Sequence, residues 1–353
     1  MASSVSISER HINISEPPYI IAEMSGNHNQ SLDRALAIVD AAAEAGVDAV
    51  KIQTYTPDTM TLNLSSREFV INDSNSLWQG RTMYQVFQDA HTPWEWHKSI
   101  IQRCQSKGIT CFSSPFDTSA VDFLEELEMP AYKIASFEIN DIPLIKRVAR
   151  TRKPMIMSVG MATIGEIDEA VMTAKENGCT SLVLLKCTST YPATARESNV
   201  ITIPHLRNTF NCEVGLSDHT LGIGAAIAAV SHGASVIEKH FTLARSDGGT
   251  DAEFSLEPSE LALLVKESRQ AWDSLGKVAY GPTESEKAST KYRRSIYVSD
   301  NMSKGDKFTT ENTRIIRPGL GLHPRYYEII LGAKAKTSIN AGTPISWDML
   351  DRE

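Results

Sequence analysis

The chain has little that would mark a secreted, membrane or nucleic-acid-binding protein. Its five cysteines (Cys104, Cys111, Cys179, Cys187 and Cys212) are odd in number and form no CxxC spacing. Several sit in apolar stretches, so they read as small buried thiols of a reducing compartment, not as a disulfide framework. No apolar run reaches the roughly 20 residues that span a bilayer, and the N-terminus shows no charged-then-apolar signal pattern. Basic residues are in the minority, 35 Lys and Arg against 43 Asp and Glu. The resulting net charge of -8 argues against nucleic acid as a partner and leaves no polybasic patch for a membrane. It does not exclude an anionic substrate, because local lysines decide that. There is no low-complexity tract. A soluble cytoplasmic protein is the expectation.

What is present is a globular composition, 41% hydrophobic and 22% charged, which supports a large core. A length of 353 residues suits a barrel of about 250 residues plus an appendage. Short apolar, β-rich runs at 19–22, 49–53, 109–113, 131–135, 155–158, 182–186, 213–216 and 236–239 alternate with helical patterns. The helical patterns fall at 32–45, 94–107, 119–127, 144–151, 165–177, 201–209, 223–232 and 259–275. Such alternation implies parallel strands, and eight units favour a closed (β/α)8 TIM barrel over an open sheet. The polar stretch 56–80 breaks the rhythm and reads as a loop on the catalytic face, a candidate lid. The barrel is expected over 1–275 and a linker over 276–293. A small β-rich domain is expected over 294–353, too small to be more than marginally stable alone.

Two histidines at matching strand ends give the first chemical signal: His219 closes Glu213-Val-Gly-Leu-Ser-Asp-His219, and His240 closes Ser235-Val-Ile-Glu-Lys-His240. On a parallel barrel that end is the catalytic face, so the pair suggests a divalent metal with coordination positions left open. Other polar residues fall at the same ends: Glu23, Lys51, Gln53, Ser113, Ser114, Lys133, Ser136, Glu138, Ser158, Lys186, Thr188, Ser189, Ser217 and Asp218. Lysines supply charge to a phosphate and hydroxyls supply donors. Lys51 and Lys133 follow apolar strand residues and would sit deep, and Glu23 closing an apolar strand is costly unless paired or functional. Lys186 could point either way. Serines at strand ends are often plain helix caps. Trp94, Trp96 and His97 fit a helix anchor, and Tyr132 fits the core. Arg317, before Pro318, sits in extended backbone that can project its side chain.

The motifs Ile21-Ala-Glu-Met-Ser-Gly-Asn-His28, Val50-Lys-Ile-Gln-Thr54, Phe112-Ser-Ser-Pro-Phe116, Tyr132-Lys-Ile-Ala-Ser136, Gly215-Leu-Ser-Asp-His219 and Glu238-Lys-His-Phe-Thr242 resemble the sialic acid synthase family. The resemblance covers nearly the whole chain, including a C-terminal domain similar to type III antifreeze proteins (a SAF domain). It implies condensation of phosphoenolpyruvate with an N-acetylated amino sugar. Thr54-Tyr-Thr-Pro-Asp58, Thr92-Pro-Trp-Glu-Trp-His97, Phe137-Glu-Ile-Asn-Asp141, Cys187-Thr-Ser-Thr-Tyr-Pro192 and Gly321-Leu-His-Pro324 look most like its pseudaminic acid branch. The sugar of that branch is 2,4-diacetamido-2,4,6-trideoxy-L-altrose.

By resemblance, His219 and His240 would hold Mn²⁺ or Mg²⁺. Lys51, Ser114, Lys133, Ser136, Ser158 and Ser217 would hold phosphoenolpyruvate, and Glu23, Gln53, Tyr191 and Asp251 would lie near the sugar. Glu138 is the candidate to position or deprotonate a water. Arg317 would reach from the C-terminal domain of one subunit into its partner's barrel, giving a domain-swapped homodimer whose C-terminal domain caps the neighbour. Ser189 stands where sialic acid synthases have Asn, so no contact carries over there. The competing readings are an N-acetylneuraminic or legionaminic acid synthase, a metal-dependent barrel isomerase or hydrolase, and a non-catalytic carbohydrate-binding protein.

Overall fold

A computed structural model describes residues 5–73, 76 and 78–351. The chain divides into two compact units, Met1–Gly276 and Lys277–Glu353.

The first unit is a closed parallel barrel of eight strands: β3 (Tyr19–Glu23), β4 (Ala49–Thr54), β5 (Thr110–Pro115), β6 (Tyr132–Ile134), β7 (Met155–Ser158), β8 (Leu182–Cys187), β9 (Glu213–Asp218) and β10 (Val236–His240). Helices cover its outside: α1 (Leu32–Ala45), α4 (His97–Ser106), α5 (Thr118–Glu126), α6 (Ile142–Ala149), α7 (Ile164–Glu176), α8 (Thr202–Phe210), α9 (Gly224–Ser231) and α10 (Pro258–Leu275). The expected TIM barrel is therefore present, with every strand and helix within a few residues of its sequence position. Local chemistry explains the boundaries. Ser31 caps the first turn of α1, and Gly46 ends it at φ +84°, a conformation glycine adopts without strain. Thr163 and Glu166 form a capping box at the start of α7.

The lumen is packed by Tyr19, Ile21, Ala49, Phe112, Ala131, Ile156, Val183, Leu185 and Val236. Its N-terminal end is plugged by a hairpin the sequence reading did not separate: β1 (Val5–Ile7) and β2 (Arg10–Ile12). Val5, Ile7 and Ile12 join the lumen core. A cavity of about 770 Å³ lies at this end, lined by residues such as Arg10, Asp48 and Glu128, away from the polar strand ends. The larger apolar layer lies between strands and helices.

The stretch 56–80 is not wholly a loop. It holds α2 (Pro57–Met60), with a capping box between Thr56 and Thr59, and a 3-10 turn, Arg67–Phe69. Ser74, Asn75 and Leu77 lie outside the described residues. The segment returns to the barrel through α3 (Met83–Ala90), capped by Thr82 and Gln85.

The second unit contains short helical turns, Glu284–Lys287 and Ala288–Tyr292, then a small β domain. Two antiparallel pairs order it: β11 (Ser295–Val298) with β12 (Thr313–Ile316), and β13 (Lys334–Ala335) with β14 (Leu350–Asp351). Its own core includes Ile296, Val298, Phe308, Ile330 and Ile345. Among the described residues no helix is long and apolar enough to cross a membrane.

Candidate active site

The pleat assembles the site. Alternate side chains of a strand face the lumen. In β4 that sequence is Ala49, Lys51, Gln53, and in β10 it is Val236, Glu238, His240. Each strand starts with a lumen-core residue and ends in chemistry at the C-terminal face. Ala131, just before β6, and Ile156 in β7 belong to the lumen core, so Lys133 and Ser158 follow them on the same face.

Two lysines and two carboxylates meet there, all buried. Lys51 Nζ lies 2.5 Å from Glu23 Oε2 and 3.7 Å from Glu238 Oε1, and donates to Ser114 Oγ at 3.2 Å. Lys133 Nζ donates to Glu238 Oε1 at 3.1 Å, and Ser217 Oγ donates to the same oxygen at 3.2 Å. Burial pushes the Glu23 carboxyl up, more than Lys51 offsets. Burial alone would lower Lys51, but Glu23 and Glu238 outweigh it and hold the ammonium form. Lys133 is drawn down by burial beyond what Glu238 restores. Glu238, though buried, is held low by the two ammonium groups.

Hydroxyls and acids complete this wall. Ser158 Oγ is buried with no hydrogen-bond partner. Ser136 Oγ accepts from the Gly160 N–H at 3.1 Å. Glu138 follows on the same 3-10 turn, Ser136–Glu138. One of its oxygens is buried and unpartnered, and burial pushes its carboxyl up to about 7 against the pull of Lys133.

The two imidazoles lie side by side, with ring centroids 5.2 Å apart at 63°. Tyr191 packs on both, at 4.6 Å from His219 and 6.5 Å from His240, and Phe254 lies 4.9 Å from His240. His219 Nδ1 donates to Thr188 O at 2.9 Å, which leaves the Nε2 lone pair for a ligand bond. His240 Nδ1 is buried without a hydrogen bond, and Asp251 Oδ2 is 3.7 Å away. Burial, reinforced by His219 and the nearby lysines, pushes His240 well down, so the ring is neutral. Neutral imidazole with a free lone pair is the form that ligates a metal. Among the described residues no cluster of three or more His, Cys, Asp or Glu has metal-binding geometry. His219 Nε2 and His240 Nδ1 are the two imidazole nitrogens here that could hold a cation, its other positions open to substrate or water.

Beside this network, Gln53 Nε2 donates to Glu23 Oε1 at 2.9 Å and to Ser25 Oγ at 3.3 Å. Ser25 Oγ in turn donates to Asp251 Oδ2, whose carboxyl is pushed up by burial. Arg317 belongs to the second unit, just after β12, and is exposed. It therefore lies in a different unit from the barrel residues grouped here.

Three residues of the sequence-read ring face outward. Ser113 Oγ pairs with Thr54 Oγ1 at 2.6 Å, and Thr54 with His97 Nε2 at 2.7 Å, under α4. Asp218 pairs with Lys239 Nζ at 2.8 Å. Lys186 Nζ donates to Cys187 O at 2.8 Å and to Thr188 Oγ1 at 3.3 Å. Each is one residue out of phase with a lumen-facing neighbour: Ser114, Ser217 and Cys187. Ser114 is not the helix cap, since Asp117 caps α5. Trp94 anchors as expected, stacking on Phe123 at 4.5 Å. The Tyr132 hydroxyl reaches Glu125 behind the strand.

Three residues were missed. Glu238 carries the same signal that marked Glu23, a carboxylate in an apolar strand, and shares a face with His240. Cys187, expected to be a small buried thiol, is buried and free, and its Sγ lies 3.8 Å from His219 Nδ1 and 3.6 Å from Ser189 Oγ. Burial would raise the thiol, but contacts with His219, Ser136 and Ser189 bring it down to about 7. Ser25 gave no signal, because no pattern predicts its backbone.

This barrel, with a buried lysine pair beside an imidazole pair, has known relatives. Residues 38–280 match the NeuB family and residues 293–351 match the SAF domain, and the chain belongs to the NeuB family. It is 44% identical over 332 residues to the pseudaminic acid synthase of Campylobacter jejuni subsp. jejuni serotype O:2, covering 94% of this chain and 96% of that protein. It is 41% identical over 340 residues to the pseudaminic acid synthase of Helicobacter pylori, covering 96% and 99%. Its fold is similar to the N-acetylneuraminic acid synthetase of Leptospira borgpetersenii, solved in complex with citrate. There the TM-score is 0.72 and the identity 32%, with 82% of this chain and 95% of that chain covered.

Proposed function

We propose that this protein condenses phosphoenolpyruvate with 2,4-diacetamido-2,4,6-trideoxy-L-altrose and water, yielding pseudaminic acid and phosphate. The observation that carries the reading is the lumen-end constellation itself. Two buried lysines share Glu238 on one side, and two imidazoles stand 5.2 Å apart on the other. The pseudaminic acid synthases above, similar along almost their whole length, favour this sugar over N-acetylmannosamine or the legionaminic acid precursor.

A divalent cation held by His219 and His240, Mn²⁺ or Mg²⁺, would polarise the open-chain sugar aldehyde as a Lewis acid. The chain's own residues do the rest. Lys51 and Lys133 bind the phosphate and carboxylate of phosphoenolpyruvate, with Ser114, Ser136, Ser158 and Ser217 donating to their oxygens. This fixes carbon 3 of the enol against the aldehyde carbon. The new C–C bond leaves positive charge at carbon 2, where water adds. Glu138, poised near pH 7 by burial, takes the proton that water loses. Glu138 passes that proton on to the alkoxide left by the aldehyde, and the tetrahedral product collapses to the ketone as the bond from carbon 2 to the bridging oxygen breaks, phosphate departing with that oxygen and with the proton of the added hydroxyl. Glu23, Gln53, Tyr191 and Asp251 orient the sugar.

In this reading the working unit is a cytoplasmic homodimer in which Arg317 of one chain completes the neighbour's site. Phosphate release with phosphoenolpyruvate plus each of the three candidate sugars tests the assignment. Turnover confined to the altrose derivative is expected. Faster release with N-acetylmannosamine would overturn the sugar, and sugar binding without phosphate release would overturn the chemistry.

A further inference from the structure

Ser25 occupies a conformation that serine adopts at a cost. Its φ is +49°, in the left-handed region where glycine is free of strain and a Cβ is not. The residue opens the 3-10 turn Ser25–His28 and is almost wholly buried. Its hydroxyl is fully engaged: it accepts from Gln53 Nε2 at 3.3 Å and donates to Asp251 Oδ2. The turn is held on both flanks. A Cβ on Gly26 would stand 3.0 Å from Ala90. Asn27 Nδ2 donates to Phe241 O and to Ser255 Oγ, each at 2.9 Å, and Ser255 Oγ donates to Asp251 O at 2.6 Å. Both the carboxylate and the main chain of Asp251 are thus tied to this one turn. Backbone strain held in place by surrounding structure next to a site points to a role for the side chain that requires it.

We infer that Ser25 is a positioning residue for the amino-sugar substrate: its hydroxyl couples the Gln53 amide to the Asp251 carboxylate and fixes both toward the sugar's hydroxyl and acetamido groups. The inference rests on the reading of the site given above. It assigns no contact between Ser25 and phosphoenolpyruvate, and that asymmetry is what the experiment reads.

Ser25→Gly removes hydroxyl and strain together, while Ser25→Ala removes the hydroxyl and keeps the strain. Steady-state phosphate release is measured for both purified full-length variants, with whichever of the three amino sugars the wild type turns over. Both are expected to raise the KM for the sugar tenfold or more and to leave the KM for phosphoenolpyruvate within twofold. Ser25→Gly is expected to melt no lower than Ser25→Ala. A wild-type sugar KM in Ser25→Gly would overturn the inference, whatever Ser25→Ala does, because then only the backbone matters. A parallel rise of both KM values would overturn it too, since that marks general damage. Failure of the proposed function shows separately, as a wild type that prefers another sugar or releases no phosphate.

Discussion

Glu238 accepts a hydrogen bond from Lys133 at 3.1 Å in the barrel lumen, with Lys51 also within 3.7 Å of the same oxygen. One buried carboxylate therefore serves two buried ammonium groups. Removing one partner of a buried pair leaves uncompensated charge and costs about 3–5 kcal/mol. Glu238→Gln is expected to destabilise the barrel by that order in urea at pH 7. Lys133, already drawn down by burial, would lose its proton more readily. The KM for phosphoenolpyruvate should therefore rise at least tenfold, as expected when a charge pair to phosphate is lost. Unchanged stability together with unchanged KM would remove Glu238 from the lysine network.

Glu138 gives the pH dependence its sign. Its folded carboxyl titrates at about 7 against an ordinary 4.5, because burial disfavours the anion. Folding therefore favours the protonated form. The stability this contributes is complete below about pH 4.5 and lost as the pH rises through about 7. The group is partly exposed, so the discounted effect is about 1–3 kcal/mol. Glu138→Gln should shrink the wild type's loss of stability between pH 5 and pH 8 by that amount. Its kcat should fall about 10²- to 10⁴-fold, and the limb of the pH profile near 7 should vanish. A profile that keeps this limb would assign the water proton to another group.

Much of this architecture was readable because its causes are local and periodic. Eight apolar runs spaced by amphipathic helices define the barrel, and strand-end residues such as Lys51, Lys133, His219 and His240 fall on its catalytic face. What position in a strand does not reveal is phase. Asp218 and His219 are adjacent in one motif, yet the pleat sends Asp218 outward to Lys239 and His219 inward to the site. Ser113 and Ser114 part in the same way. Glu238 escaped because its role depends on strands far away in sequence, 105 residues from Lys133. Ser25 escaped because a left-handed φ on serine leaves no trace in composition.

The paired imidazoles predict metal dependence. Chelator-treated protein should lose turnover and regain it with Mn²⁺. If His240 is a ligand, as its neutral ring and its Nδ1 without a hydrogen bond allow, His240→Ala should retain less Mn²⁺ in equilibrium dialysis than wild type. Full activity in chelator, or undiminished metal retention by the variant, would reject the role.

Arg317→Ala tests catalysis apart from folding. It is exposed and follows β12 in the small domain, so its removal should cost less than about 0.5 kcal/mol, as surface substitutions usually do. If a partner's Arg317 completes the site, Arg317→Ala should lower kcat/KM by about 10²-fold or more, the scale of a lost charge-stabilising donor. Mixing Arg317→Ala with a Glu138→Gln chain should restore activity, because one site of the mixed dimer then has every residue. Wild-type kinetics in Arg317→Ala would remove it from the site, and failed complementation would remove the exchange between subunits.

The outward pair makes the converse prediction. Lys239 and Asp218 are both buried, 2.8 Å apart, and Lys239 also donates to Thr220 O. Burial draws the Lys239 ammonium down, more than Asp218 restores. Asp218→Asn keeps the shape but removes the anion that pairs the buried cation, at a cost of about 3–5 kcal/mol. Below the melting transition kcat should stay within about threefold of wild type, because the carboxylate faces away from the lumen and a shift under about 0.7 kcal/mol is all that such a change represents. Urea unfolding and phosphate release on the same preparation check both halves. A collapse of kcat with stability intact would place Asp218 back in the chemistry, despite the pleat that turns it away.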